Sequence, residues 1–237
     1  MAPQKIEVKK INIAIDGFSG CGKSTLAKQL ASRLNYLFVD TGAMYRAISF
    51  LVIHCGDCED PIQNVINSKP KIAFEPISNE VLIDGINHEL EIRGQLVASR
   101  VSEIAADRRV REYLLDLQQS FISDKGVVME GRDIATVVMP EAELKLFITA
   151  DIMTRVERRF SQIVESGLAA ERSEVQKNLE SRDRSDIDRK TAPLKIDNGA
   201  IIIDTTNMNR EEQVRFIESL AKPLISPETY LGAFISK

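Results

Sequence analysis

Several things are scarce in this sequence, and each scarcity removes a class of protein. Cysteine is one: there are three in 237 residues. A small, odd number offers no closed disulfide framework. Cys55-Gly56-Asp57-Cys58 pairs two of them beside His54, but no second ligand pair follows, as a zinc site would need. A plain loop is expected there. Excess positive charge is also missing. Lys and Arg number 31 against 35 Asp and Glu, a formal net charge of −4. Proteins that hold nucleic acid by its phosphates need a basic surface, so a nucleic-acid partner is not expected. No apolar run approaches the roughly 20 residues of a membrane span. The opening Met1-Ala2-Pro3-Gln4-Lys5 carries no apolar signal region. These absences lead to the expectation of a soluble, cytoplasmic protein with no membrane partner. Internal repeats and low-complexity segments are absent. So is an N-K-x-D guanine motif, which a GTP-dependent switch should carry.

What is present is organised by one stretch, Gly17-Phe18-Ser19-Gly20-Cys21-Gly22-Lys23-Ser24-Thr25. It satisfies G-x-x-x-x-G-K-[S/T] at every fixed position. Ile11-Asn12-Ile13-Ala14-Ile15 before it reads as a buried strand. Residues 25–34 after it have apolar side chains at helical spacing. Strand, glycine loop and helix start together let backbone N–H groups and the positive end of a helix hold phosphates. Lys23 can then reach the β- and γ-phosphates of a nucleotide, and Ser24 can hold Mg²⁺ through its hydroxyl. Because Cys21 lies inside the loop, its alkylation is expected to block nucleotide binding sterically.

Apolar residues make up 43% of the chain, enough for a substantial core. The length allows one α/β domain with an insertion, or two small domains. Tyr36-Leu37-Phe38-Val39-Asp40 suits a second buried strand. A strand-to-helix turn follows, with Thr41 as its cap and an apolar helix over 47–54. Residues 61–94 read as a small antiparallel insertion on the main sheet. Its strands lie at 72–75, 80–83 and 86–90, with Asp84-Gly85 as a tight turn and His88 as a surface strand residue.

Residues 97–121 read as helical, with Ser102 and Arg111 able to face a cleft. The strand at 126–130 delivers Gly131-Arg132-Asp133 to its carboxyl end, where open α/β sheets bind ligands. A further strand over 144–150 leads to Asp151 as a helix cap, and that helix carries Arg155, Arg158 and Arg159. In the charged segment 160–190, Arg182, Asp186 and Arg189 recur at i, i+4 and i+7 on one helix face. Arginines so placed suit a phosphate clamp. A last buried strand over 200–206 and an amphipathic helix over 211–220, with Val214, Ile217 and Leu220 inward, close the chain. Alternating strands and helices predict an α/β fold with a parallel sheet flanked by helices.

The ordered set resembles the bacterial cytidylate kinases, in the nucleoside monophosphate kinase group of P-loop proteins. The matching pieces beyond the phosphate loop are Asp40-Thr41-Gly42-Ala43-Met44-Tyr45-Arg46, Gly131-Arg132-Asp133, Arg182-Asp183 with Asp186 and Arg189, and Ala192-Pro193-Leu194. The resemblance runs from Ile11 to about Leu220. It implies one kinase domain over 1–237. Its core would occupy about 5–40, 121–154 and 191–237, a monophosphate-binding part about 41–120 with the insertion 61–94, and a lid about 155–190.

The implied reaction is transfer of the γ-phosphoryl of ATP, with Mg²⁺, to CMP or dCMP. By resemblance, Thr41, Tyr45, Arg46, Arg132 and Arg189 surround the acceptor phosphate. Ser102, Arg111 and Asp133 match base-reading positions, and Arg182 and Asp186 match ribose-holding ones. Lys23, Arg132, Arg182 and Arg189 would carry the catalysis. Base reading makes chemical sense. Cytosine offers an N4 amine beside acceptors at N3 and O2, so a carboxylate can accept and Arg and Ser can donate. Thr41 stands where relatives often have Ser, and Arg184, Ser185 and Ile187 interrupt a run that is often more charged. Residue 158 and the segment 205–208 are candidates for the adenine pocket. A kinase for another small acceptor such as UMP or AMP is the alternative, and a monomer is expected.

Overall fold

The computed structural model describes residues 9–75, 78–165 and 167–225. The outer ends of the expected core, 5–8 and 226–237, lie outside the described residues, as does the opening Met1-Ala2-Pro3-Gln4-Lys5. The chain runs β1 (Asn12–Gly17), α1 (Lys23–Leu34), β2 (Leu37–Asp40), α2 (Thr41–Ile53) and α3 (Pro61–Ser68). Three short strands follow, β3 (Ile72–Phe74), β4 (Val81–Ile83) and β5 (Ile86–Asn87), then α4 (Glu89–Ile92), α5 (Gln95–Ala106) and α6 (Arg108–Ser120). After β6 (Val127–Glu130) comes a single π-helical turn, Ile134–Val138. The chain ends with β7 (Leu144–Thr149), α7 (Ile152–Glu165), α8 (Arg172–Asp188), β8 (Ile201–Asp204) and α9 (Arg210–Ile225).

Five strands form one sheet in the order β2-β6-β1-β7-β8, and every pairing is parallel. Parallel strands need helical crossovers, which cover both faces, so their side chains are apolar on both sides. β1 shows this residue by residue. Ala14 joins Val39, Met44, Ile48, Leu114 and Met129 in one core. Ile13 and Ile15 point the other way, into a second core with Leu26, Leu30, Leu146, Val214 and Ile217. A third, small cluster of Val156, Val175 and Leu179 joins α7 to α8. Among the described residues, no helix is long and apolar enough to cross a membrane.

Five local expectations need correction. The region expected as continuous helix over 97–121 is two helices. Asp107 adopts extended backbone (ψ 127°), and its carboxylate accepts from the Arg109 N–H at 2.8 Å, so it starts α6 as a cap. The insertion does not extend the main sheet; β3, β4 and β5 form a separate antiparallel sheet preceded by α3. His88 lies past β5, half-buried, with its ring 5.0 Å from that of Phe50. The strand over 200–206 is buried only in part, at Ile203 and Thr205. β8 sits at the sheet edge, leaving Ile201 42% and Ile202 57% exposed. Thr41 is not the cap of α2 either. Asp40 caps it by accepting from the Ala43 N–H at 2.8 Å, while the Thr41 hydroxyl donates to the Glu130 carbonyl at 2.8 Å. Helix therefore begins before Ala47. Asp151 does cap α7, accepting from the Thr154 N–H at 2.9 Å.

Candidate active site

β1 brings Gly17 to the carboxyl edge at the middle of the sheet. A Cβ there would fall 2.0 Å from the Ile148 carbonyl oxygen, and φ is +144°, so only glycine lets the chain leave the strand this way. The loop closes at Gly22 (φ 83°), directly before α1. Lys23 folds back over it, and its Nζ donates to the Phe18 carbonyl at 2.7 Å. Burial, with Arg132 nearby, pushes the Lys23 pKa down to about 8. Phosphate oxygens entering the loop would reverse that shift.

A cleft of about 430 Å³ opens above the loop. Residues 19–25 line it, as do Thr41, Tyr45, Arg46, Ser102, Arg132, Asp133, Arg182, Asp186 and Arg189. The fold thus gathers candidates from five separate segments. Gly17, Phe18 and Arg111 do not line it. Arg111 is 6% exposed; it donates to Asp133 Oδ2 and lies 5.4 Å from the centre of the Tyr45 ring. Burial pushes the Tyr45 phenol up to about 12, so it stays protonated at neutral pH. Arg189 donates to the other Asp133 oxygen at 3.1 Å. As their divergence along the chain suggests, Arg132 and Asp133 do not pair with each other. Arg132 donates to Asp186 at 2.8 Å and to the Ser19 hydroxyl at 2.9 Å, bridging the phosphate loop and α8. Arg189 follows the end of α8 in extended backbone (ψ 140°) rather than continuing its face.

The cleft holds more guanidinium than its carboxylates neutralise. Arg182 has no ion pair among the described residues, and burial, with Arg132 next, lowers its pKa to about 10. The pKa of Arg159 is lowered too, by burial and then by Arg46 and Arg93. The buried Arg46 Nε has no hydrogen-bond partner. Unpaired buried guanidinium groups are costly unless an anion arrives to pair them. α7 and α8 also clasp the loop directly. Asp183 accepts from the Ser19 N–H at 3.0 Å and from Arg155, which in turn donates to the Ser19 carbonyl at 3.2 Å.

Three acidic residues of the site, Asp16, Asp40 and Glu130, carry no role in any of the motifs above. Asp40 and Glu130 end adjacent parallel strands, and Asp16 lies one residue from the end of β1. Acidic residues at the carboxyl ends of parallel strands were the available signal. The Ser24 hydroxyl donates to Glu130 Oε1 at 2.6 Å. Burial, with Asp40 beside it, raises the pKa of Glu130. The pKa of Asp40 is lowered: burial opposes this, but Arg46, Arg93 and the Ala43 N–H outweigh it. Ser24, Glu130 and Asp40 are hard oxygen donors converging beside the loop. That set suits Mg²⁺, which keeps several waters and takes few protein ligands.

Residues 13–222 match the family model for cytidylate kinase. The chain belongs to the cytidylate kinase family. It is 44% identical over 222 residues to a cytidylate kinase of Flavobacterium psychrophilum, covering 90% of this chain and 98% of that one. It is 39% identical over 225 residues to one from Caldicellulosiruptor saccharolyticus, covering 93% and 100%. A relative in Listeria welshimeri is 42% identical over 222 residues, with 92% and 99% covered. Membership in the cytidylate kinase family thus extends over nearly the whole chain.

Two expectations change in this cytidylate kinase family site. Thr205 is fully buried and is held by Arg158, through its hydroxyl at 3.1 Å and its carbonyl at 2.6 Å. Arg158, with Arg210 and Gln213 of α9, lines that end of the cleft; residues 205–208 do not. The Cys21 side chain is 0% exposed and packs in the core under the loop, where burial raises its pKa. A buried thiol with a raised pKa is a poor nucleophile. Iodoacetamide at pH 7.5 should therefore label the half-buried Cys55 and Cys58 first and leave ATP binding intact. Peptide mass mapping beside nucleotide titration checks this; early Cys21 labelling with lost binding would contradict it.

Proposed function

We propose that this chain transfers the γ-phosphoryl group of ATP to the 5′-phosphate of CMP and dCMP, giving CDP and dCDP. The observation that carries the reading is the polarity of the cleft. The lining includes the phosphate loop with its buried lysine, Asp133 with two arginines, and Arg182, which has no ion pair among the described residues. Such a cleft accommodates two anions placed end to end.

Under this reading, Lys23 and the loop N–H groups hold the donor phosphates. Ser24 and Glu130, with Asp40 close by, would hold Mg²⁺, which would supply positive charge beside the donor phosphates. Arg132 touches the loop at Ser19 and the α8 helix at Asp186, so it stands where the transferred group passes. Thr41, Tyr45, Arg46, Arg132 and Arg189 surround the acceptor phosphate, Arg182 and Asp186 hold the ribose, and the arginines stabilise the spreading charge. A phosphate monoester oxygen is already a nucleophile, so alignment rather than proton removal is the main requirement. Asp133 accepts from cytosine N4. Each of its oxygens keeps a lone pair after bonding its arginine, so the base can join without displacing either one. Ser102, half-buried on the same wall, donates to the base. Residues from about 155 to 190 act as the lid, about 41–120 as the monophosphate-binding part, and about 5–40, 121–154 and 191–237 as the core. Lid closure excludes water and suppresses ATP hydrolysis. The reaction needs one chain and dissolved substrates, so a cytoplasmic monomer is the state in which to test it.

The test is ADP release from Mg-ATP with CMP, dCMP, UMP and AMP offered separately. Rapid turnover is expected with CMP and dCMP, and little with the other two. A preference for UMP or AMP would remove the base assignment while leaving phosphoryl transfer in place.

A further inference from the structure

Asp16 is buried at the end of β1, 1% exposed, with no ion pair among the described residues. Both its oxygens are committed to backbone. Oδ1 accepts from the Ile134 N–H at 2.9 Å and Oδ2 from the Ala135 N–H at 2.8 Å. These are the first two N–H groups of the Ile134–Val138 turn, and the residue at its cap position is Asp133. An aspartate in that place ordinarily turns back and accepts from N–H groups of its own first turn. Asp133 makes no such bond. Its carboxylate points instead to Arg111 and Arg189, toward the acceptor end of the cleft.

We infer that Asp16 is a positioning residue for base selection: by capping the turn from a neighbouring strand, it keeps the Asp133 carboxylate free to face the acceptor base. The inference rests on the reading of Asp133 as the base reader. Two further features support it. The Asp16 and Asp133 charges repel, which opposes any swing of Asp133 back onto its turn. β1 and β6 are also locked in register, Ile15 against Glu130, so Asp16 cannot drift from the turn that follows β6. Asparagine at 16 would offer one acceptor and one donor to two N–H groups. One N–H would be released, and Asp133 could then take it.

The experiment compares kcat/KM for CMP and UMP in Asp16→Asn, Asp16→Ser, Asp133→Ala and the Asp16→Asn/Asp133→Ala double variant. Circular dichroism melts confirm folding, and the serine variant serves if the asparagine variant does not fold. The CMP-to-UMP ratio should fall at least about fivefold in the Asp16 variants, because a misdirected carboxylate no longer rewards N4. ATP affinity should be nearly unchanged. The double variant should show no loss of ratio beyond Asp133→Ala alone, since Asp16 acts through Asp133. An unchanged ratio at Asp16, with a collapsed one at Asp133, overturns the inference and leaves the base reader standing. An unchanged ratio in Asp133→Ala removes the base reader itself. Parallel losses of ATP affinity and CMP turnover at an unchanged ratio would make Asp16 merely structural, which also overturns the inference.

Discussion

Replacing Lys23 by alanine is expected to remove turnover with every acceptor, by at least about 10²–10³-fold in kcat. The expectation follows from placement. Lys23 is 5% exposed at the first turn of α1, and its Nζ is parked on the Phe18 carbonyl over the phosphate loop. No other lysine lines the cleft among the described residues. Its cost to the empty protein makes a second, sharper expectation. Burial and Arg132 hold its pKa near 8, below the ordinary 10.5. Between those values the unfolded chain binds a proton that the folded chain does not. Stability therefore rises with pH across that window and is lowest below pH 8. Lys23→Met removes the buried charge and keeps most of the volume. At pH 7 its ligand-free form should melt no lower than the wild type, and any advantage over the wild type should shrink toward pH 10. A large loss of Tm at pH 7 would mean that Lys23 holds the loop together, and the loss of turnover would then say nothing about phosphate contact.

Asp133→Ala should lower kcat/KM for CMP by at least about tenfold while leaving ATP affinity nearly unchanged. The contact to N4 would be lost, and so would the carboxylate between Arg111 and Arg189. Those two guanidinium groups would face each other across a buried gap. Breaking one side of a buried charge pair costs roughly 3 kcal/mol or more, so the variant should also unfold at clearly lower urea. Asp133→Asn separates the two effects. It keeps the shape and one acceptor but presents an amine where cytosine also presents one. Steady-state kinetics with CMP and UMP, beside urea midpoints, check both variants. If ATP affinity fell as far as CMP turnover, Asp133 would belong to the donor side and the base assignment would be wrong.

Local chemistry made much of this legible. The phosphate loop is read from contiguous residues because its geometry is made by contiguous residues: glycines that turn, N–H groups that follow, and a lysine on the next helix. The candidates Tyr45, Arg46, Arg132, Asp133, Arg182 and Asp186 were also found from short motifs, and all line one cleft. The misreadings have physical causes of their own. Apolar strength alone cannot say whether a strand lies in the middle or at the edge, so Ile201 and Ile202 read as buried along with Ile203, which alone of the three is. Asp107 interrupts a continuous apolar pattern with a single cap. Thr41 and Asp40 are both good capping types, and only the hydrogen bonds separate them.

The sequence by itself determined the class of fold, the anion-binding loop and the kinds of residue gathered around it. Each of these depends on local periodicity, backbone freedom or side-chain type. Which strand lies beside which was decided only in three dimensions. Pairing β1 with β6, across more than a hundred residues, sets Ile15 against Glu130. That one register places Glu130 within reach of Ser24 and gives Asp16 the N–H groups that follow Asp133. No local pattern encodes such a neighbour, because strand pairing is chosen by the packing of both sheet faces at once. The acidic partners of the site therefore emerge only from the folded chain, while its phosphate-binding loop is visible in nine consecutive residues.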